Sequence, residues 1–282
     1  MSVTTEPFGR QVVPEDELLV VLEELVLVEV ELVVPPPAPP VIATLRSPDK
    51  ETELGKVPGI TLLPLDVTKP AQIQEAARYA LELGPVDVVF NNAGYGLIGP
   101  LEGTSDEQLV AEIDTNLLGT LRTTKAFVPH FRERGTGVFI ATTSIGGLAA
   151  FPLGSAYHAT KWALEGWSES FAFEMGELGV RVKTVAPGGI STDFAGRSLV
   201  LTQHPAYAAI AAKVMAAFMN PERRARASTA EQIAEVVWEA ATDGKDQVTY
   251  VAGADAQATY AQRLKVGVEA FRKMIGQSFL GG

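Results

Sequence analysis

From residue 41 onwards, short apolar runs alternate regularly with longer amphipathic stretches. The apolar runs predict β-strands over 41–44, 60–65, 86–90, 137–142, 180–186 and 248–251. The longer stretches predict helices over 70–83, 105–131, 155–178 and 230–241. Strands that alternate with helices form a parallel sheet covered by helices on both faces, with right-handed crossovers. The sequence therefore predicts an α/β fold, a doubly wound, three-layer parallel sheet of the Rossmann type.

The first forty residues do not follow this alternation. Residues 12–13 are a short apolar pair, and residues 14–17 combine a proline with three acids, a typical helix start. Residues 18–32 fit a helix or, because of their many valines, a strand, and their periodicity does not decide between the two. The proline-rich stretch 35–40 is expected to be extended.

We therefore divide the chain into two parts. Residues 1–40 are interpreted as an atypical N-terminal segment, in which a degenerate first strand and helix precede a proline-rich linker. Residues 41–282 are interpreted as one Rossmann-type domain. Within this domain, residues 192–226 lack strand patterning and are expected to form a mobile helical lid, and the tail over 254–280 is expected to be helical.

Composition narrows the classes of function. The formal net charge of −11 argues against a nucleic-acid-binding surface or a surface for anionic membranes. Four glutamates interrupt the apolar stretch 18–34, which excludes an ordinary membrane span. The chain has no cysteine, so it has no disulfide or thiolate metal site, and a reducing, cytoplasmic location is expected. Its three histidines are far apart in sequence, and no metal is expected.

Polar and glycine-containing motifs follow several predicted strands. Residues 91–94 read Asn-Asn-Ala-Gly, Ser144 follows the strand at 137–142, and residues 187–192 read Pro-Gly-Gly-Ile-Ser-Thr. Ligands bind at the carboxyl ends of parallel strands, so these motifs predict a site there. Tyr157 and Lys161 are four residues apart and fall on one helix face. An ammonium beside a phenol favours the phenolate, so this pair suits acid–base chemistry.

The order and spacing of these motifs resemble the short-chain dehydrogenase/reductase family over about residues 41–253. Ser144 lies thirteen residues before Tyr157, and Asn116 lies in Asp-Thr-Asn-Leu-Leu-Gly between the first two motifs. The resemblance implies an oxidoreductase that interconverts a secondary alcohol and a ketone by hydride transfer.

The resemblance implies four catalytic residues. Tyr157 would be the general acid for ketone reduction and the general base for alcohol oxidation. Lys161 would lower the pKa of Tyr157 and hold the nicotinamide ribose, Ser144 would stabilise the substrate oxygen, and Asn116 would hold a water beside the lysine. The structural alternatives are a tyrosine packed on its helix, a serine that caps a turn and an asparagine that faces solvent.

The resemblance also implies a cofactor, NADP, with NAD as the alternative. Arg46 follows the strand at 41–44 and would bind the 2′-phosphate that distinguishes NADP, although a solvated surface arginine is the alternative. Asp66 with Val67 would hold the adenine, although Asp66 equally suits a helix or turn cap. The remaining positions implied along the cofactor are Asn92, Ala93, Gly94, Tyr157, Lys161, Pro187, Gly188, Ile190 and Thr192.

The expected partner is a small-molecule alcohol or ketone that is partly apolar, because Leu148, Phe151 and Leu153 lie close to Ser144 and Tyr157 in sequence. The resemblance further implies a homodimer or homotetramer that assembles through the helical regions 105–131 and 155–178. Neither a nucleic acid nor a membrane is expected as a partner.

One family motif is missing. Members of the family follow their first strand with a glycine-rich turn whose backbone binds the cofactor pyrophosphate. Here Gly9 is the only glycine among the first fifty residues, and a helix starting at residue 14 would place Glu15, Asp16 and Glu17 near the phosphates. We therefore expect weak cofactor binding. The alternative is a non-enzymatic binding or scaffold protein with this fold; a sugar-nucleotide epimerase-like relative shares the Tyr–Lys pair but is usually longer.

Overall fold

The computed structural model describes residues 18–22, 40–191 and 198–281. The strands are β1 Leu18–Leu22, β2 Val41–Leu45, β3 Ile60–Pro64, β4 Val86–Asn91, β5 Gly96–Ile98, β6 Val138–Thr142, β7 Arg181–Pro187, β8 Leu199–Leu201 and β9 Thr249–Ala252. Seven of them form one sheet in the order β3-β2-β1-β4-β6-β7-β9, and every neighbouring pair is parallel. The parallel order confirms the doubly wound fold that the alternation predicts.

The helices are α1 Pro70–Leu83, α2 Asp106–Ile113, α3 Thr120–Arg134, α4 Ile145–Leu148, α5 Ser155–Gly176, α6 Ala208–Phe218, α7 Pro221–Arg224, α8 Ala230–Thr242, α9 Ala254–Val266 and α10 Val268–Leu280. A single π-helical stretch, Asp114–Gly119, joins α2 to α3, so the helical region predicted at 105–131 is three elements. The predicted helical tail is two helices, because Gly267 adopts a φ of 79° between them.

Helices cover both faces of the sheet because alternate strand residues point to opposite sides. Phe139 packs with Phe127 and Phe131 of α3 and with Ile73 of α1 in one buried cluster. Its neighbours on β6, Val138 and Ile140, belong to a second cluster on the other side, where the facing helix is α8. The two clusters make the three layers.

Strand β1 lies in the stretch 18–32, for which the sequence left helix and strand open. Residues 18–22 pair in parallel with β2 on one side and β4 on the other, at the centre of the sheet. The strand alternative therefore holds for residues 18–22, and the apolar pair 12–13 lies outside the described residues. Residues 23–40 connect β1 to β2, which is more than the roughly dozen residues that a parallel crossover needs.

The region expected to be a helical lid is only partly helical. Within the described part of 192–226, α6 and α7 are helices, but β8 is a short strand that pairs with β5 in a separate two-stranded sheet. Three-residue strands carry too little alternation for recognition in a sequence. Among the described residues, no helix has the length and apolar character needed to cross a membrane.

A buried ion pair joins β7 to the end of α8. Lys183 is 1% exposed, and its Nζ lies 2.5 Å from Asp243 Oδ1. Nζ also donates to the Tyr250 hydroxyl at 3.0 Å, and that hydroxyl donates to Asp243 Oδ2 at 2.7 Å. Hydrogen bonds from Lys183 and Tyr250 outweigh partial desolvation and hold the pKa of Asp243 at about 2. Asp243 is therefore ionised at neutral pH and supplies the countercharge of Lys183, whose own pKa is lowered by burial.

Asp243→Asn should destabilise the protein by about 3–5 kcal/mol, because it leaves the Lys183 ammonium buried without a countercharge. Urea denaturation measures the change. The matched control is Glu239→Gln, which removes an exposed partner of Lys245 and should change stability little. Equal effects of the two substitutions would show that the buried pair contributes no more than the exposed one.

Candidate active site

The motif residues form a row along the carboxyl edge of the sheet. Asp66 and Val67 follow β3, Arg46 follows β2, and residues 92–94 follow β4. Thr143 and Ser144 follow β6, and residues 188–190 follow β7. Because all these strands run in the same direction, the residues lie at one edge of the sheet in the order β3, β2, β4, β6 and β7, with β1 between β2 and β4.

Ser144 begins the short helix α4 at the end of β6. Its Oγ accepts a hydrogen bond from the Gly146 amide at 2.9 Å, so the serine is an N-cap, as one sequence alternative held. The same side chain lies close enough to the phenol of Tyr157 to lower its pKa. Ser144 therefore both caps α4 and contacts Tyr157.

Tyr157 and Lys161 lie in the first two turns of α5. Lys161 is buried, and its Nζ donates to the Thr142 carbonyl at 2.9 Å. Nζ lies 5.8 Å from the centre of the half-buried Tyr157 ring. The structure thus brings Ser144, Tyr157 and Lys161 together at the end of β6.

Burial dominates the ionisation of this pair. It raises the pKa of Tyr157 to about 12, although the hydrogen bond with Ser144 opposes the increase. Burial also lowers the pKa of Lys161 to about 8, against the charges of Glu112 and Glu165. Desolvation of the phenolate is thus the largest effect on the pKa of Tyr157, and a lowering of this pKa by Lys161 stays a prediction.

Asn116 is fully buried in the π-helical stretch. Its amide donates to the Tyr95 carbonyl at 2.8 Å and to Thr160 Oγ1 at 3.3 Å, and its Oδ1 accepts from the Tyr95 amide at 2.9 Å. It therefore does not face solvent, which removes that alternative. Instead, it fixes the chain just after Gly94 against α5.

The segment after β4 approaches the site closely. A Cβ added to Gly94 would lie 3.1 Å from Asn116 Oδ1 and 3.4 Å from Lys161 Nζ, so glycine lets the backbone approach these two side chains closely. Asn92 Oδ1 accepts from the Thr142 hydroxyl at 2.7 Å, which ties β4 to β6. Ala93 packs against the main core cluster.

Asp66 makes a turn at the end of β3. Its Oδ1 accepts from the Thr68 amide at 2.9 Å and from the Thr68 hydroxyl at 2.6 Å. Although desolvation raises the pKa of Asp66, these bonds and the charges of Lys69 and Arg46 lower it overall. The turn-cap alternative for Asp66 is thus realised. Val67 is buried against Gly119, where a Cβ would lie 2.7 Å from Val67 Cγ2.

The loop after β7 is held by Asp255, a residue that the sequence did not reveal. Pro187 ends the strand, the Gly188 amide donates to the Ala252 carbonyl at 3.0 Å, and the Gly189 amide donates to Asp255 Oδ2 at 2.8 Å. A Cβ on Gly188 would lie 2.2 Å from Asp255 Oδ1. Ile190 forms a parallel bridge with Ser228. Thr192 lies outside the described residues.

Two carboxylates, the half-buried Glu165 and the buried Glu112, interact electrostatically with Lys161, and sequence reasoning missed both. Glu165 is one turn further along α5 and accepts hydrogen bonds from the hydroxyls of Thr143, Thr184 and Thr249. Glu112 on α2 is fully buried and accepts from the Leu97 amide at 3.2 Å. The available signal was an acid on the apolar side of a short amphipathic helix. Among the described residues, no group of histidines and carboxylates is arranged to hold a metal ion.

His158 holds the loop between α4 and α5. Its Nε2 accepts from the Phe151 amide at 3.0 Å, so its Nδ1 carries the proton and donates to the Gly146 carbonyl at 2.7 Å. Burial lowers the pKa of His158 below its ordinary value of 6.5. The neutral imidazole therefore ties the two ends of this loop together.

Comparisons with known proteins agree with this geometry. A family model described as short chain dehydrogenase matches residues 41–199. An uncharacterized oxidoreductase of Schizosaccharomyces pombe is 35% identical over 237 residues, which cover 82% of this chain and 100% of that protein. The crystal structure of a short-chain dehydrogenase from Streptomyces avermitilis has a TM-score of 0.75 at 26% identity, covering 94% of this chain and 96% of that one. An alcohol dehydrogenase from the archaeon Thermococcus sibiricus, complexed with 5-hydroxy-NADP, has a TM-score of 0.64 at 25% identity, covering 85% and 97%.

His158→Leu should destabilise the protein by at least about 1–3 kcal/mol, because the buried Gly146 carbonyl loses its donor. The lowered pKa means that the unfolded state binds a proton before the folded state does. The contribution of His158 is therefore complete above about pH 6.5 and is lost as pH falls through the lower folded pKa. Denaturation at several pH values should show the stability difference between the two proteins shrinking below pH 6.5, and a constant difference would contradict the neutral imidazole.

Proposed function

The chain belongs to the short-chain dehydrogenase family and is an oxidoreductase of that family, and on this premise we propose that it interconverts a secondary alcohol and a ketone. The observation that carries the proposal is the convergence of Ser144, Tyr157 and Lys161 at the end of β6. A hydroxyl, a phenol and an ammonium meet there beside the close-approaching backbone at Gly94. These groups suit a carbonyl oxygen that gains a proton as it is reduced.

In this proposal Tyr157 gives its proton to the carbonyl oxygen, and Ser144 donates a hydrogen bond to the same oxygen. A pKa of about 12 keeps the phenol protonated at neutral pH, which suits ketone reduction. Oxidation needs the phenolate, so it should become faster as pH rises. Lys161 supplies positive charge near the developing phenolate. Asn116 bonds to Tyr95 and Thr160 and so holds the chain after Gly94 against α5, the helix that carries Lys161.

The cofactor in this proposal is a nicotinamide dinucleotide, NADP in preference to NAD, which supplies the hydride. Gly94 lets the backbone approach Asn116 and Lys161 closely, and the nicotinamide ribose is proposed to bind beside this backbone. Arg46 and Asp66 interact electrostatically at the ends of β2 and β3. Arg46 is proposed to meet a 2′-phosphate, and the Thermococcus sibiricus relative with its NADP derivative supports this preference.

The pyrophosphate side fits less well. In the sequence, β1 is followed directly by Glu23 and Glu24, and no glycine occurs between Gly9 and Gly55. The acids expected to oppose the phosphates, Glu15 to Glu17, instead precede β1 in the chain. Carboxylates after the strand repel phosphate, so we propose weak cofactor binding. The same observation favours a second candidate function, a non-enzymatic binding or scaffold protein of this fold.

The proposed substrate is a partly apolar alcohol or ketone. Phe151, in the loop that follows Ser144, packs its ring 5.8 Å from that of Phe279 in α10. Phe279 in turn lies 5.1 Å from Phe218 in α6. These three rings join the loop, the C-terminal helix and the lid region, and they supply an apolar wall near Tyr157.

We also propose that the chain forms a homodimer or homotetramer, and the proposed cytoplasmic location stays a prediction. The helices implicated by the family resemblance expose large apolar side chains, among them Val110 at 65% and Phe173 at 76%. Such exposed apolar surface is typical of protein interfaces.

Tyr157→Phe should lower turnover by about 10²–10⁴-fold, because it removes the positioned proton while keeping the ring. Cyclohexanone, acetophenone and decan-2-one serve as probe ketones, with NADPH oxidation as the measurement. Tyr95→Phe is the control, a half-buried tyrosine whose backbone, not its hydroxyl, meets Asn116. Near-normal turnover of Tyr157→Phe with an unchanged pH profile would exclude the proposed role.

Replacing residues 23–39 with a glycine-rich turn and helix of the family type should raise NADPH affinity at least about tenfold, because each new charge-assisted bond is worth about 1.5–3 kcal/mol. Calorimetry with NADPH and NADH measures the change. The control carries alanines in place of the new glycines. Micromolar binding by the unaltered chain, with no gain on replacement, would mean that residues 23–39 already bind phosphate in another way or never approach it.

A further inference from the structure

Glu112 is a fully buried carboxylate with an unpartnered oxygen. Its Oε1 accepts from the Leu97 amide at 3.2 Å, while its Oε2 is inaccessible and has no hydrogen-bond partner among the described residues. A glutamine would satisfy the Leu97 amide equally well without a charge. A buried carboxylate held by one amide is unfavourable unless a nearby positive charge compensates it.

The compensating charge is Lys161. Glu112 lies one turn before Asn116, on a helix that packs against the π-helical stretch, β5 and α5. The titratable groups that interact with Glu112 electrostatically are Lys161, Tyr157 and Tyr95. Lys161 is the cation among them and is itself buried with one carbonyl partner. Each of the two charges therefore makes the other less costly.

Glu165, the other carboxylate near Lys161, differs from Glu112 in its hydrogen-bond donors. It accepts from three threonine hydroxyls that come from the end of β6, from β7 and from β9. These bonds stabilise its ionised form whatever the state of Lys161. Glu112 has no such set of donors, so its charge depends more strongly on the lysine.

We propose that Glu112 is a positioning residue for the reaction: it acts through Lys161 as a buried countercharge that keeps the ammonium protonated beside Tyr157. This inference rests on the proposed function, in which the ammonium assists the phenol. When Glu112 takes up a proton, the ammonium loses that support but stays charged. When Glu112 is ionised, Lys161 holds its proton to higher pH.

The pKa values of Glu112 and Lys161 set the pH range in which both groups are charged. Burial raises the pKa of Glu112 to about 7, against the Leu97 amide and the charge of Lys161. Burial lowers the pKa of Lys161 to about 8, against the charge of Glu112. Both groups are therefore charged between about pH 7 and pH 8. Ketone reduction should decline above this range as Lys161 loses its proton.

The test follows Lys161 directly by NMR of the protein with ¹³C-labelled lysine, in which the Lys161 signal is assigned by its loss in Lys161→Arg. In the unaltered protein this signal should show a main step near pH 8 and a smaller step near pH 7, where Glu112 titrates. In Glu112→Gln the small step should disappear and the main step should move down by about one pH unit, an ordinary size for such shifts. Neither measurement needs turnover.

Two further variants separate charge from packing. Glu112→Asp keeps the charge and should keep the small step, even if the shorter side chain weakens the bond to Leu97. Glu107→Gln removes an exposed acid from the same helix and should leave both steps unchanged. An unaltered protein without the step near pH 7, or a main step that Glu112→Gln does not move, would overturn the proposal.

The pH profile of ketone reduction completes the test, with NADPH and the best of the three probe ketones. In Glu112→Gln the alkaline decline should begin about one pH unit lower than in the unaltered protein. An unchanged decline in active enzyme would overturn the proposal. If the unaltered protein reduces no ketone while the NMR steps behave as described, the countercharge stands and the proposed function fails.

Discussion

The buried ammonium of Lys161 is the constraint around which the site is built. A buried charge needs interactions in the protein that replace its hydration in water. Among the described residues, the ammonium of Lys161 has one hydrogen-bond partner, the carbonyl of Thr142 at 2.9 Å. That carbonyl ends β6, so the lysine fixes α5 against the edge of the sheet. The remaining compensation comes from the carboxylates of Glu112 and Glu165. Burial of Lys161 therefore requires β6, α5 and α2 to be packed together.

Much of this arrangement can be predicted from the sequence, because its strands and helices are strongly periodic and its motifs have a recognisable spacing. Helix α1 has the predicted bounds, and the strands from β2 onwards in the main sheet lie within a residue or two of their predicted ends. Ser144, Tyr157 and Lys161 meet as their spacing implies. Tertiary interactions decide the rest. The run that starts at Leu18 is rich in valine with scattered glutamates, so only pairing with β2 and β4 identifies its strand.

The features that sequence reasoning missed were all missed for the same physical reason. The π-helical stretch at Asp114–Gly119 adds a residue to its turn and leaves no local signal, yet it is what carries Asn116 to the Tyr95 backbone. Asp255 is distant in sequence from the Gly189 amide that it holds. The raised pKa of Tyr157 arises from burial, which spacing alone does not report. Each depends on contacts between elements rather than on a pattern within one.

Ser144, Tyr157, Lys161 and Asn116 lie far along the chain from the stretch between Gly9 and Gly55, which contains no glycine, and this separation has a consequence. The described hydrogen bonds of Ser144, Lys161 and Asn116 come from Gly146, Thr142, Tyr95 and Thr160. Strand β1 contributes to the sheet through backbone pairing, which does not require glycine after its end. An ordered Ser–Tyr–Lys cluster therefore reflects the packing of β4, β6 and α5, and it is no measure of cofactor affinity.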